Sequence, residues 1–118
     1  FEFTHQGADW VEGSDLWQHT TWTGTTAEKE IIQKDLDLAL SWSIQNNIPV
    51  VMSEFGVIKK ADNLSRLRWI QYLTQEASRR DIGWVYWDFC AEFGIYNCES
   101  QTWDRELLPA LLSNQQLE

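Results

Sequence analysis

The chain has 118 residues, 9 Lys and Arg against 18 Asp and Glu, a net charge of −9, 43% hydrophobic residues, 8 Trp and 2 Cys. That length supports one small domain with a modest core. The scattered basic residues build no stripe, which excludes a nucleic-acid footprint and attraction to anionic lipid, and the apolar runs Ile48–Met52 and Trp84–Trp87 are far shorter than the roughly 20 residues a bilayer span needs.

Residues 1–25 hold Gly7, Gly13, Gly24 and several aromatics without a helical period, so they read as a long loop that is functional rather than disordered. Tryptophan faces suit the apolar C–H face of a pyranose, and Trp10, Trp17 and Trp22 in this loop are expected on a cleft surface. Thr25 with Glu28 resembles a capping box. Ile32, Leu36, Ala39 and Leu40 then share one helical face, and Asn46-Asn47 ends the element, giving a helix over 26–46. Ile48–Met52 reads as a strand buried on both faces, with Pro49 at its start. Asp62 caps a second helix over 63–80 with Trp69, Ile70, Leu73 and Ala77 as its apolar side. Trp42 and Trp69, both helical, are expected in the core.

Ile82–Trp87 is a second buried strand, followed by a loop through Gly94 and Trp103. Asp104 starts a short final helix whose apolar side is Leu107, Leu108, Leu111 and Leu112, with Pro109 in its first turns. Cys90 and Cys98 lack zinc spacing; they fit either a local disulfide of a secreted protein or two buried thiols. The order loop–α–β–α–β–loop–α implies an α/β fold with a parallel sheet.

In such folds the chemistry lies at the C-terminal ends of the strands. One strand delivers Glu54 there, and the other delivers Trp87 and Asp88. Burying a carboxylate at the end of an apolar strand is costly unless it is paired, so Glu54 is either functional or held by an arginine such as Arg66 or Arg68. His5 is either a polar contact to a sugar or to the Glu54 carboxylate, or a histidine tying down its own turn. Asp88 and Glu92 lie near the expected cleft mouth.

Phe3-Thr-His-Gln-Gly-Ala-Asp-Trp10, Ser53-Glu54-Phe55-Gly56 and Trp84-Val-Tyr-Trp-Asp-Phe-Cys90 with Phe93-Gly-Ile-Tyr96 stand in this order along the chain. Together they resemble the segments after strand six, at the end of strand seven and around strand eight of family 5 glycoside hydrolases, the cellulase type. The resemblance implies that residues 1–118 are the C-terminal part of a catalytic domain, a fragment of a (β/α)8 TIM barrel carrying about strands 7–8. It implies retaining hydrolysis of β-1,4-glucosidic bonds with Glu54 as nucleophile. Trp87 would line the sugar site beside the scissile bond, and Trp10, His5, Asp88 and Glu92 would contribute to substrate binding. Ser53 replaces the family's usual Gly and leaves the carboxylate in place.

Retention requires a second carboxyl group about 5–5.5 Å from the nucleophile. In the family that acid/base glutamate follows an Asn at the end of strand four, and no Asn-Glu pair occurs in this chain. The expectation is therefore a β-glucan hydrolase, of cellulose or related polymers, that uses no metal or cofactor. It would need an N-terminal barrel half or self-association, since two parallel strands leave open edges. The other readings are a carbohydrate-binding fragment without catalysis, or a mannanase or xylanase. The chain opens on Phe1 with no charged n-region or apolar h-region, so the expected gene product starts upstream and is secreted by a signal peptide outside this chain.

Overall fold

A computed structural model describes residues 1–113. The first 25 residues form turns and a short 3-10 helix over Ser14–Trp17, followed by helix α1 (Thr26–Asn46), strand β1 (Val51–Phe55), helix α2 (Asn63–Ser78) and strand β2 (Gly83–Tyr86). A two-residue-stranded hairpin, β3 (Tyr96–Asn97) and β4 (Thr102–Trp103), and helix α3 (Leu107–Leu112) complete the described part.

The helix limits follow from side-chain chemistry. Thr25 accepts a hydrogen bond from the Glu28 amide, and the Glu28 carboxylate accepts from the Thr25 amide at 2.7 Å, which closes the capping box. At the other end Asn47 takes a left-handed conformation, φ 52°, that an asparagine tolerates. Asp62 caps α2 by accepting from the Ser65 amide at 2.8 Å. Asp104 lies ahead of α3 and accepts from the Glu106 and Leu107 amides, so the helix begins three residues later than expected.

β1 and β2 pair in parallel, Val51 opposite Gly83 and Met52 opposite Trp84. The strand expected over Ile48–Met52 is displaced to Val51–Phe55, because Ile48 and Pro49 belong to the turn out of α1, where the Ile48 amide donates to the Ser43 carbonyl. Neither strand is buried on both faces. Phe55 contacts Trp84 and Tyr86 edge-on, on the face covered by α2 with Ile70, Leu73 and Ala77. The other face, with Val51 and Val85, is open, and both edges of the pair lack a further strand among the described residues.

α1 packs on α2 through Ile32 and Leu36, and the Gln33 side chain donates to the Tyr72 hydroxyl at 2.7 Å. Arg80 bridges the two helices by pairing with Asp37 and Glu76. Trp42 departs from its expected core position and is 49% exposed. It shares a stripe with Ile31 and Leu38 at i, i+7 and i+11, on a side of α1 that no described element covers. Trp22 departs in the opposite direction. It is 7% exposed, packed beside the Tyr72 ring at 5.7 Å, where it lines a small cavity between the start of α1 and α2.

Candidate active site

β1 carries one extra residue relative to β2 between Met52 and Phe55, where the register shifts. A bulge of this kind breaks the alternation of side chains and re-aims them. Ser53 and Glu54 are consequently both exposed, and Phe55 returns to the core. Just beyond, the Trp87 amide donates to the Phe55 carbonyl at 2.8 Å, which sets Trp87 against the end of β1. The Trp87–Asp88 peptide bond is cis.

An open cleft of about 630 Å³ lies at these strand ends. All six residues singled out from the sequence line it: Glu54, Trp87, Trp10, His5, Asp88 and Glu92. Trp10 and Trp87 are 59% and 53% exposed, as surfaces that receive a ligand must be. Trp17 does not reach the cleft; it packs edge-on to Phe1 at 5.8 Å.

Glu54 forms no ion pair among the described residues. Neither arginine considered from the sequence holds it. Arg66 is buried and donates to the carbonyls of Val57 (3.0 Å), Phe93 (2.8 Å) and Gly94 (3.3 Å), while Arg68 is exposed on α2. The Tyr86 hydroxyl also donates to the Phe93 carbonyl at 2.7 Å; burial raises its pKa, and the nearby Arg66 charge opposes that. Arg66, Tyr86 and Phe93 thus fix the wall opposite His5.

His5 ties down its own turn and also lines the cleft. Its Nδ1 bonds the Thr4 hydroxyl at 2.8 Å, which ties down its own turn, and its ring faces the cleft, stacked on Phe1 at 4.2 Å and edge-on to Phe93 at 5.3 Å. Burial holds its pKa below the ordinary imidazole value. The Phe1 carbonyl and the Glu54 carboxylate pull the other way. Asp88 turns its carboxylate to its own loop, accepting from the Ala91 amide at 2.6 Å and the Phe93 amide at 3.1 Å. Glu92 remains exposed, and its backbone carbonyl accepts from the Lys59 amide.

Trp69 and Phe93 also line the cleft, and the sequence reading gave neither that place. Trp69 was hidden by its helical period, which points it toward the sheet but not toward the sheet's end. Phe93 stood inside a quoted motif, yet only the fold brings it within 6.2 Å of Trp10. Among the described residues no group of three His, Cys, Asp or Glu side chains is placed to hold a metal ion. Of the two readings left open for the cysteines, the disulfide is the one found: Cys90 and Cys98 are bonded, with their Cα atoms 5.8 Å apart.

Residues 4–93 match the family Cellulase (glycosyl hydrolase family 5). Endoglucanase H of Acetivibrio thermocellus is 33% identical over 119 residues, covering 96% of this chain and 12% of that protein. Endoglucanase B of Clostridium cellulovorans is 33% identical over 109 residues, covering 84% of this chain and 24% of that protein. Among solved structures, endoglucanase Cel5A of Thermotoga maritima superposes with a TM-score of 0.91 at 40% identity, over 94% of this chain and 36% of its own. The same Cel5A is solved with cellobiose and with mannotriose. The cellulose synthase subunit Z of Clostridioides difficile superposes with a TM-score of 0.90 at 36% identity, over 94% of this chain and 37% of its own. The chain therefore spans little more than a third of the solved structures it matches, and less of these two sequence relatives. Its helices and parallel strand pair are a portion of the (β/α)8 barrel, and the chain belongs to glycosyl hydrolase family 5.

Proposed function

We propose that residues 1–118 are the C-terminal part of a catalytic domain, carrying about strands seven and eight of a barrel that hydrolyses β-1,4-glucosidic bonds with retention. The observation that carries this reading is Glu54. It sits on the bulged end of β1 with no ion pair among the described residues, exposed on a cleft, with the exposed Trp87 at the end of the neighbouring strand.

In this reading a Glu54 carboxylate oxygen forms a bond to the anomeric carbon as the glycosidic C–O bond breaks. The leaving oxygen takes a proton from an acid. Water, deprotonated by the same group, then displaces Glu54 and restores the carboxylate. Trp87 and Trp10 hold pyranose rings by their apolar faces, and His5 contributes a polar contact beside the nucleophile. Asp88 acts indirectly, by shaping the turn that carries Glu92 and Phe93. The acid/base carboxyl comes from another part of the barrel. That part also covers the open sheet face with Val51 and Val85, and the stripe of Ile31, Leu38 and Trp42. Secretion, as for a polymer-degrading hydrolase, belongs to the same proposal.

Treating the full-length protein with a 2-fluoro cellobioside carrying a good leaving group tests the reading. A mass increase on the peptide containing Glu54, absent in Glu54→Gln, is expected. An adduct on another residue, or none while the protein still cleaves cellulose, overturns it. A second reading, β-mannan as an additional substrate, is favoured by the mannotriose complex of the 40% identical Cel5A. Parallel assays on glucan and mannan separate the two. Retention on cellulose without turnover would instead mark a binding fragment.

A further inference from the structure

The loop after β2 makes a second concavity, on the far side of the cleft wall. The loop is closed by the Cys90–Cys98 bond and framed by the β3–β4 hairpin, with the Ile95 and Tyr96 amides both donating to the Phe89 carbonyl at 2.9 and 2.8 Å. On this frame Phe89 stacks on Tyr96 at 4.9 Å with 15° between the rings, and Trp103 stands edge-on to both. Phe89 and Trp103 nevertheless stay 55% and 50% exposed. None of the three rings belongs to the hydrophobic core of the described residues.

Beside them is a cavity of about 290 Å³ lined by Lys59, Tyr96, Asn97, Thr102, Trp103 and Asp104. Its rim offers hydrogen-bonding capacity that the fold does not use. The Asn97 side-chain oxygen accepts from the Glu99 and Ser100 amides, which leaves its NH₂ group without a partner among the described residues. The Tyr96 hydroxyl and the Trp103 indole N–H likewise have no partner among the described residues. The Lys59 ammonium donates to the Ala91 carbonyl at 2.8 Å and has two further N–H groups. An open ring face edged by free donors is the composition that binds a pyranose, whose C–H face lies on the ring while its hydroxyls accept from the rim. The Asp104 carboxylate on the rim is paired with Arg66 at 3.6 Å, and the chain's net charge of −9 opposes an anionic ligand.

We propose that the β3–β4 hairpin is a second carbohydrate site, taking a neutral β-linked hexose segment on the face of Trp103. It rests on the reading of the protein as a β-glycan hydrolase. The site shares a wall with the cleft, because Lys59 lines the concavity while its ammonium grips Ala91, a cleft residue. A polymer held in the cleft thus has a rigid second hold on the same loop.

The test uses the full-length protein with Glu54→Gln to prevent turnover, labelled at the indole nitrogens and titrated with cellohexaose and, separately, mannohexaose. The Trp103 indole signal is expected to shift with at least one hexaose. Trp103→Ala is expected to weaken binding to insoluble cellulose by about fivefold to tenfold, the scale of one aromatic contact. Tyr96→Phe, which keeps the ring cluster, should weaken it less. If the Trp87 signal moves and that of Trp103 does not, the second site is overturned and the glycanase reading stands. If neither moves, the glycanase reading fails and takes the second site with it. Should Trp103→Ala not fold, the indole shift in the parent protein decides.

Discussion

Gly56 follows the last residue of β1, and any Cβ placed there would collide with the Trp87 carbonyl oxygen and come within 3.2 Å of a Phe93 ring carbon. The obstacle is backbone, so no side-chain rotation relieves it. To admit a methyl group the two strand ends must separate, which strains the hydrogen bond from the Trp87 amide to the Phe55 carbonyl. Overpacking of this sort costs about 1–3 kcal/mol, and the strained hydrogen bond adds about 0.5–1.5 kcal/mol. Gly56→Ala should therefore destabilise the full-length protein by about 2–4 kcal/mol, which at roughly 2 °C per kcal/mol for a whole barrel lowers Tm by about 4–8 °C. Urea denaturation followed by tryptophan fluorescence reads this as a lower midpoint at unchanged m-value. Gly83→Ala is the control, since a Cβ there meets only Val51, at 3.6 Å and beyond, an ordinary contact. A loss below about 0.5 kcal/mol for Gly56→Ala, within the range of surface substitutions, would refute the claim that Trp87 is fixed against the end of β1.

Arg66→Met leaves the Val57 and Gly94 carbonyls without this donor and Asp104 without its ion-pair partner, and should cost about 2–5 kcal/mol in the same assay. Arg66→Lys should not rescue it, because a point ammonium cannot span the guanidinium's partners. His5 should titrate below the ordinary imidazole range by NMR. Because the Glu54 charge raises that value, Glu54→Gln should lower it further; an unchanged or higher value would separate the two side chains. Charging His5 is disfavoured in the folded state, so stability from this group falls as pH drops through the ordinary histidine range. Burial raises the Glu28 pKa, but hydrogen bonds from Thr25 and Thr23 outweigh it and hold the value low. Its contribution is full above the ordinary glutamate range and is lost as pH falls through the depressed value. Glu28→Gln should flatten that acid limb in denaturation measured against pH.

The helices were legible because their signals are local. Thr25, Glu28, Asn47 and Asp62 act within one turn of themselves, and both helix starts fall where those residues put them. The strands were less legible. Ile48 and Val50 look like strand residues, and only the turn out of α1 removes them from the ladder. Burial on both faces was inferred from the unbroken apolar run, and the described chain covers just one face. β3 and β4 have two residues each, too few to show alternation, and they went unseen between Gly94 and Trp103. The cleft residues could be read because strand ends are where α/β folds put ligands. Arg66 could not be read as their support, since nothing in its own neighbourhood announces three carbonyls that arrive from residues 57, 93 and 94.

Val57 and Ile58 are fully buried, and residues 57–60 touch both sides of the cleft. The Ile58 amide donates to the Thr4 carbonyl and the Lys60 ammonium reaches the Gly7 carbonyl and Asp9. On the opposite side Lys59 holds Glu92 and Ala91. These four residues serve as a rail from which two walls hang, and the walls meet again where Phe93 faces His5 and Trp10. Loops 8–22 and 89–106 can then lengthen, shorten or change sequence, provided that contact and their anchor points on the rail persist. The cleft lining can drift in such an arrangement while Glu54 stays still, and a graft of either wall from a relative must match this short segment and the Phe93 contact.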